Sequence, residues 1–308
     1  MIKNLLYLII LIIVLFEMLF NSSAIINSVN FSFSLCINNL FPSLFPFMIL
    51  SNILMEYGFV DISSEFLKPF MNKLFKSHEY ATFVLILSII SGSPSNAKYI
   101  HELLNKNLID TNQANKILLF THFVNPLFII NTIGLTFLHD KILVIIILIS
   151  HYLGNFIVGL LFRNYHKINE SSKINISKAI NLLEQRKNNF INVLTNSIIS
   201  SINTLLIILG VITTCLIITS LVNINPLLNG ILEITQGLKY ISTTNLEILK
   251  KVLLITFLIS FGGFSIHAQV FSILNNKKIK YIPYLVARII HGIISSIIVY
   301  ILFKIIYF

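Results

Sequence analysis

The chain has 308 residues, 56% of them hydrophobic and only 11% charged, with a mean hydropathy of +0.86. A soluble domain carries about 25% charged residues, so this composition is that of a membrane protein. The formal charge of +10 arises from 22 basic against 12 acidic residues. The lysines are dispersed between apolar spans and form no basic face, which argues against nucleic acid and for cytoplasmic loops beside lipid headgroups.

The first apolar run, Leu5 to Phe20, follows Lys3 and reads as a short membrane helix. Its alternative is a signal-peptide core, because Ser22-Ser23-Ala24 resembles a cleavage site. A second span runs from about Phe31 to Met55 and holds Cys36, which, like Cys215, reads as a buried thiol. Pro42 and Pro46, four residues apart in this span, disturb the hydrogen-bond ladder and predict a kink or local unwinding. Glu56 to Glu79 mixes charge with Phe59, Phe66, Leu67, Phe70 and Leu74, the pattern of an interfacial helix.

The apolar run Ala81 to Ile90 then stops at Ser91-Gly92-Ser93-Pro94-Ser95-Asn96. Glycine frees the backbone and proline removes a donor, so one helix ends and another begins, with Ser93 or Ser95 as its cap. Lys98, Tyr99 and Glu102 lie in the early turns of that second helix, which reaches about Asn105. A break at membrane depth survives only when buried in protein or facing a water-filled cavity, which makes it a candidate solute site. Next come a span from Ile117 to Phe137 interrupted by Asn125-Pro126, and another from Ile142 to Phe162. Arg163 to Asn189 reads as a basic cytoplasmic connector. The second half offers a span over Ile191 to Val222 and an amphipathic connector over Asn223 to Leu249. The run Val252 to Ser260 stops at Phe261-Gly262-Gly263-Phe264-Ser265, a short helix follows to Leu274, and a last span runs from Tyr281 to Phe308.

Aligning Gly92 with Gly262 brings Ser95 to Ser265, Leu104-Asn105 to Leu274-Asn275, and Ile109 to Ile279. Paired broken helices in two halves are a sequence pointer to a transporter-type midplane site. The predicted fold is an all-α polytopic membrane protein with two inverted repeats, each carrying a broken helix or re-entrant hairpin. Its parts are an N-terminal helix and outer loop (1–30), a first repeat (31–162), the basic connector (163–190) and a second repeat (191–308). Placing the amino terminus inside puts Lys3, Lys68 to Lys76, Lys106 and the connector in the cytoplasm. Inverted hairpins leave Lys250, Lys251, Lys277, Lys278 and Lys280 outside. Letting the second unit cross brings the last three inside at the cost of symmetry.

A helix amino terminus at the first break suits an anion or a polar nucleobase edge. Lys98 either strengthens such binding or pairs with Glu102. Asn125 either bonds a solute or patches carbonyls freed by the proline. His267 and Gln269 suit a base or sugar, with a helix tie as the other task for His267. Arg288 either snorkels to the headgroups or serves an anionic ligand. The candidate binding set is Ser91, Gly92, Ser93, Pro94, Ser95, Asn96, Lys98, Asn125, Gly262, Gly263, Ser265, His267, Gln269 and Arg288. The sequence carries no HExxH, CxxC, GxSxG or phosphate-cradling loop, so neither enzyme chemistry nor a metal or cofactor is expected.

Leu40 to Phe47, Ser91 to Lys98, Asn125-Pro126-Leu127-Phe128 and His267-Ala268-Gln269-Val270 resemble the YlbJ-type sporulation integral membrane proteins. These belong to the wider nucleoside-recognition (Gate) domain group, and the likeness covers nearly the whole chain. The resemblance implies a membrane protein of the mother cell or outer forespore membrane, needed for spore envelope or cortex formation. It also implies kinship with concentrative nucleoside transporters, whose re-entrant hairpins hold solute and cation. The second break here, Gly-Gly-Phe-Ser, lacks the proline of the first, which sets unequal roles for the two. The expected function is alternating-access transport of a small polar, nucleoside-like or anionic solute, compatible with a coupling cation. The alternative is a non-transporting scaffold that recruits spore-envelope proteins through the connector. Either is compatible with a homo-oligomer.

Overall fold

Inside lipid the backbone has no partner but itself, and long Leu, Ile and Phe runs therefore fold as helices. The computed structural model describes residues 2–167, 176–184, 189–221, 225–275 and 278–307, and every element among them is helical. Of the expected basic connector, residues 168–175 and 185–188 lie outside that description.

Helix α1 (Ile2–Phe20) is followed by α2 (Ser22–Leu35), a π-helical segment (Cys36–Leu40) and α3 (Phe41–Glu56). The stretch expected as an outer loop before residue 31 is thus helical, and 35 residues from Ser22 to Glu56 form one apolar rod. The wide turn sits directly before Pro42, whose ring would clash with the carbonyl four residues back, and absorbs that clash. Gly58 turns the chain into α4 (Phe59–Phe70), where Lys68 pairs with Glu79. Helices α5 (Ala81–Ser91) and α6 (Ser95–Asn105) fold back on each other.

Helix α7 (Thr111–Phe120) opens with a capping box, Asp110 Oδ1 accepting from Gln113 N at 2.7 Å and Gln113 Oε1 from Asp110 N at 2.6 Å. It ends in non-helical backbone over residues 121–125, after which a π-helical segment (Phe128–Leu138) and α8 (Lys141–Leu161) follow. Beyond α9 (Ile176–Glu184) come α10 (Phe190–Leu221), then α11 (Pro226–Leu232) and α12 (Ile234–Thr243), which pack along each other. Helices α13 (Ile248–Phe261) and α14 (Gly263–Leu274) are separated by Gly262 and scarcely touch, and α15 (Tyr281–Tyr307) closes the chain.

The centre of the bundle is α15 packed on α8 and α13. Small residues let the backbones approach: Gly154 of α8 lies against Ser295, and Gly292 against the Phe257 ring. The outward faces present Ile145 and Leu153 on α8, Leu206 on α10, and Ile297 and Ile301 on α15, all exposed. Serine, asparagine, histidine and arginine are buried within. Apolar residues outside and polar ones inside is the arrangement expected of a bundle in lipid. Five helical stretches among the described residues are long and apolar enough to span a bilayer, and the chain is an all-α polytopic membrane protein.

Candidate functional site

Three interruptions of the helices meet in the protein interior. At the first, Gly92 has φ 78° and ψ 177°, a conformation that only glycine adopts readily. A Cβ there would lie 2.6 Å from the Asn125 amide nitrogen, so the turn rests directly on the backbone of the second interruption. Ser93 N donates to Phe123 O at 2.6 Å and completes the contact. At the third, Gly262 has φ 91°, and a Cβ would lie 2.7 Å from His122 Nε2. The five residues Thr121 to Asn125, all buried, therefore support both glycine turns. Gly263 in turn abuts the α11–α12 turn: a Cβ there would lie 3.4 Å from Ile231 O and from Ile234 N.

A cavity of about 60 Å³ lies where these turns converge. Ser93 and Pro94 line it from the first break, Asn125 from the second, and Ser265 and Gln269 from α14. Glu233 and Thr235, at the α11–α12 turn, complete its polar wall, while Ile208 and Ile212 of α10 give it an apolar one. Ligand pockets run to roughly 300–1,000 Å³, so this volume suits water or a small ion. A second cavity of about 630 Å³ is lined by Asn52, Glu56, Glu102, Lys106, Asn196 and Ser197, among others, between α3, α6 and α10. Helix α6 runs from the small cavity to the large one. Along it, Asn96 Nδ2 and Lys98 Nζ are buried without a hydrogen-bond partner among the described residues, and Glu102 lines the larger cavity.

Several candidate residues have other work. Asn125 Nδ2 sits 2.9 Å from Ser43 O and 3.0 Å from Ile90 O, and its Oδ1 accepts from Leu127 N at 2.8 Å. Its bonding capacity is spent tying α3 and α5 to the π-helical segment, although one side of it borders the cavity. His267 engages Tyr281 OH at 3.1 Å and Phe261 O at 3.0 Å, so both ring nitrogens are used as a helix tie away from the cavity. Arg288 neither snorkels nor lines either cavity. It is fully buried, donates to Leu119 O, to His122 O at 3.4 Å and to Asn155 Oδ1 at 3.2 Å, and contacts His291 Nδ1 at 2.9 Å. Its charge thus faces the carbonyl end of α7, where the helix dipole is negative and the last acceptors have lost their partners. Ser91 Oγ returns to Leu87 O at 2.7 Å and receives Tyr99 OH at 3.0 Å, inside the α5–α6 hairpin. The position before α6 is held by Pro94, and neither Ser93 nor Ser95 caps the helix through its side chain.

Residue patterns missed Glu233, which is fully buried, and the supporting stretch Thr121 to Asn125. A signal for the first was present: one acid within an apolar run, flanked by Gly230 and Gly237. Those glycines are where α11 and α12 cross, a Cβ on Gly230 lying 2.6 Å from Gly237 Cα. Nothing local marks Thr121 to Asn125 except the asparagine–proline step at its end.

The chain is 31% identical, over 304 aligned residues, to the sporulation integral membrane protein YlbJ of Bacillus subtilis (strain 168). That alignment covers 87% of this chain and 74% of the relative. No family model matches the chain, and no solved structure matches it.

Proposed function

The chain belongs to the YlbJ family of sporulation integral membrane proteins, and on that footing we propose that it is a transporter or permease. Its cargo is a small polar or anionic solute required for the spore envelope or cortex. The observation that carries this reading is the small cavity where the helix turns converge, apolar over most of its wall but bordered by the Glu233 carboxylate and the Ser265 hydroxyl. Burying a polar group without a partner costs about 1–3 kcal/mol in proteins, so such atoms persist where something else engages them. Lys98 Nζ, between the two cavities, favours an anionic group on the solute.

The same reading relates the two halves as inverted repeats, with a pairing other than Gly92 to Gly262. The hairpin α5–α6 answers to α11–α12, and the interruption after α7 answers to that after α13. In its support, each hairpin turn rests on the interruption of its own half, Gly92 on Asn125 and Ile231–Ile234 on Gly263. Likewise α8 and α15 pack on each other, α6 packs on α14, and α12 packs on the π-helical segment Phe128–Leu138. Alternating access then consists of the hairpins moving against this shared centre.

Thermal unfolding of the purified protein with nucleosides, amino acids, dicarboxylates and cell-wall intermediates tests the proposal, since a bound solute stabilises by mass action. A second arm replaces Ser95 and Asn96 by leucine and, separately, shortens the connector. The transport reading requires the first change to impair sporulation at normal protein level. If only the connector deletion does so, the protein acts as a scaffold.

A further inference from the structure

The second hairpin carries an acid for which the transport reading, as stated, has no use. Glu233 sits between α11 and α12 with no exposed surface. Its Oε1 accepts from Thr235 N at 3.0 Å and Thr235 Oγ1 at 2.8 Å. Its Oε2 and the Ser265 Oγ beside it make no well-formed hydrogen bond among the described residues, and the Ser265 hydroxyl is the side-chain donor directed at the carboxylate. No lysine, arginine or histidine lines that cavity. A lone carboxylate in such surroundings costs several kcal/mol, so the group must either neutralise itself or hold a cation.

Two features choose between these. A hard metal cation takes about six or more oxygen ligands and favours several carboxylates, whereas Glu233 is the one carboxylate that lines this cavity. No group of three or more acidic, histidine or cysteine side chains suited to a metal occurs among the described residues. The cavity, at about 60 Å³, also has room for water to deliver a proton. The geometry points to Glu233 as the proton-carrying site that couples movement of the turns to a proton gradient.

The step is a simple protonation: Oε2 takes a proton when the cavity is closed and releases it to water when the hairpin swings open. No bond other than O–H is made or broken. The ionised form has support too, since Glu233 caps the ten-residue α12 and accepts its Thr235 amide. Both states are therefore accessible, as a carrier requires. The titratable group that faces Glu233 from α10 is the Cys215 thiol. From α11, α13, α14 and the π-helical segment Phe128–Leu138, no titratable or charged side chain lines the cavity.

This inference rests on the transport reading for its purpose, but its test does not need a solute. Infrared difference spectra of the full-length protein in nanodiscs, taken across a pH titration, report the C=O stretch of a protonated carboxyl. Glu233→Gln should remove one titrating band, Glu102→Gln should leave that band in place, and Thr235→Val should shift it. Sodium chloride and choline chloride should give the same melting temperature. A spectrum unchanged by Glu233→Gln and Thr235→Val overturns the assignment, as does a sodium-dependent rise in melting temperature that Glu233→Gln abolishes. Thr235→Val keeps the test decisive should the glutamine variant fail to fold. A proton on Glu233 remains readable if no solute binds, and solute stabilisation remains readable if the band is absent, so the two readings fail separately.

Discussion

Gly92 and Gly262 each end an apolar helix at a positive φ, yet the chain leaves them in different directions. After Gly92, two further residues, Ser93 and Pro94, intervene before α6, and the new helix doubles back along α5. After Gly262 the next helix begins at once and points away from α13. The folded-back pair of the second half lies earlier, at α11–α12, where Glu233 alone separates the helices. A glycine in an apolar run thus says that a helix stops. The number of residues in the turn does not decide whether the chain then reverses, since Glu233 alone reverses it and Gly262 alone does not; what the turn rests against does.

Removing what both turns share should have the largest effect. Arg288→Met leaves Leu119 O, His122 O and Asn155 Oδ1 without that donor, at the end of α7 that leads into the common support. Roughly 3–9 kcal/mol should be lost, at about 1–3 for each of the three buried acceptors left unpaired. Size-exclusion profiles in detergent should then show little folded monodisperse protein. A variant that melts with the wild type would remove Arg288 from the support.

The two glycines should separate next. Gly92→Ala meets both a glycine-only conformation and rigid backbone at 2.6 Å, and should cost about 3 kcal/mol or more. Gly262→Ala meets the left-handed helical region, at about 1–2 kcal/mol, and the rim of the His122 ring. Melting temperatures should fall further for the first than for the second. Equal losses would mean that the turns are alike after all.

The smallest effect on stability is expected at Lys98. Its ammonium group is buried without a hydrogen bond among the described residues, with the Glu102 carboxylate as its attracting charge, so burial cost and attraction oppose each other and Lys98→Met should change the melting temperature little. The same variant should lose whatever stabilisation an anionic solute gives the wild type. A fall equivalent to more than about 2 kcal/mol would make the lysine structural.

Much of the architecture was legible because its signals are local. Length and hydropathy mark the membrane helices, two prolines mark the wide turn before α3, and Gly-Ser-Pro marks the α5–α6 turn. Where the second half folds back was harder to read, since small residues recur in apolar sequence and nothing in the sequence says that the chain reverses at Glu233 and not at Gly262. Ser93, Pro94, Ser265 and Gln269 border the cavity. Arg288 and His267, chosen for their chemistry, hold helices together instead. A buried arginine looks the same in sequence whether it faces a ligand or the open end of a helix, because the carbonyls that decide the matter belong to α7, well over a hundred residues earlier.

The stretch from Thr121 to Asn125 has one mechanical consequence. Gly92 bears on its last residue and Gly262 on its second, each at a separation that excludes a methyl group. Both turns press on the same short strut, which is held near one end by Arg288 and at the other by the Asn125 bonds. The two turns are therefore not packed independently: both bear on one short stretch of chain, which leaves neither room for a methyl group.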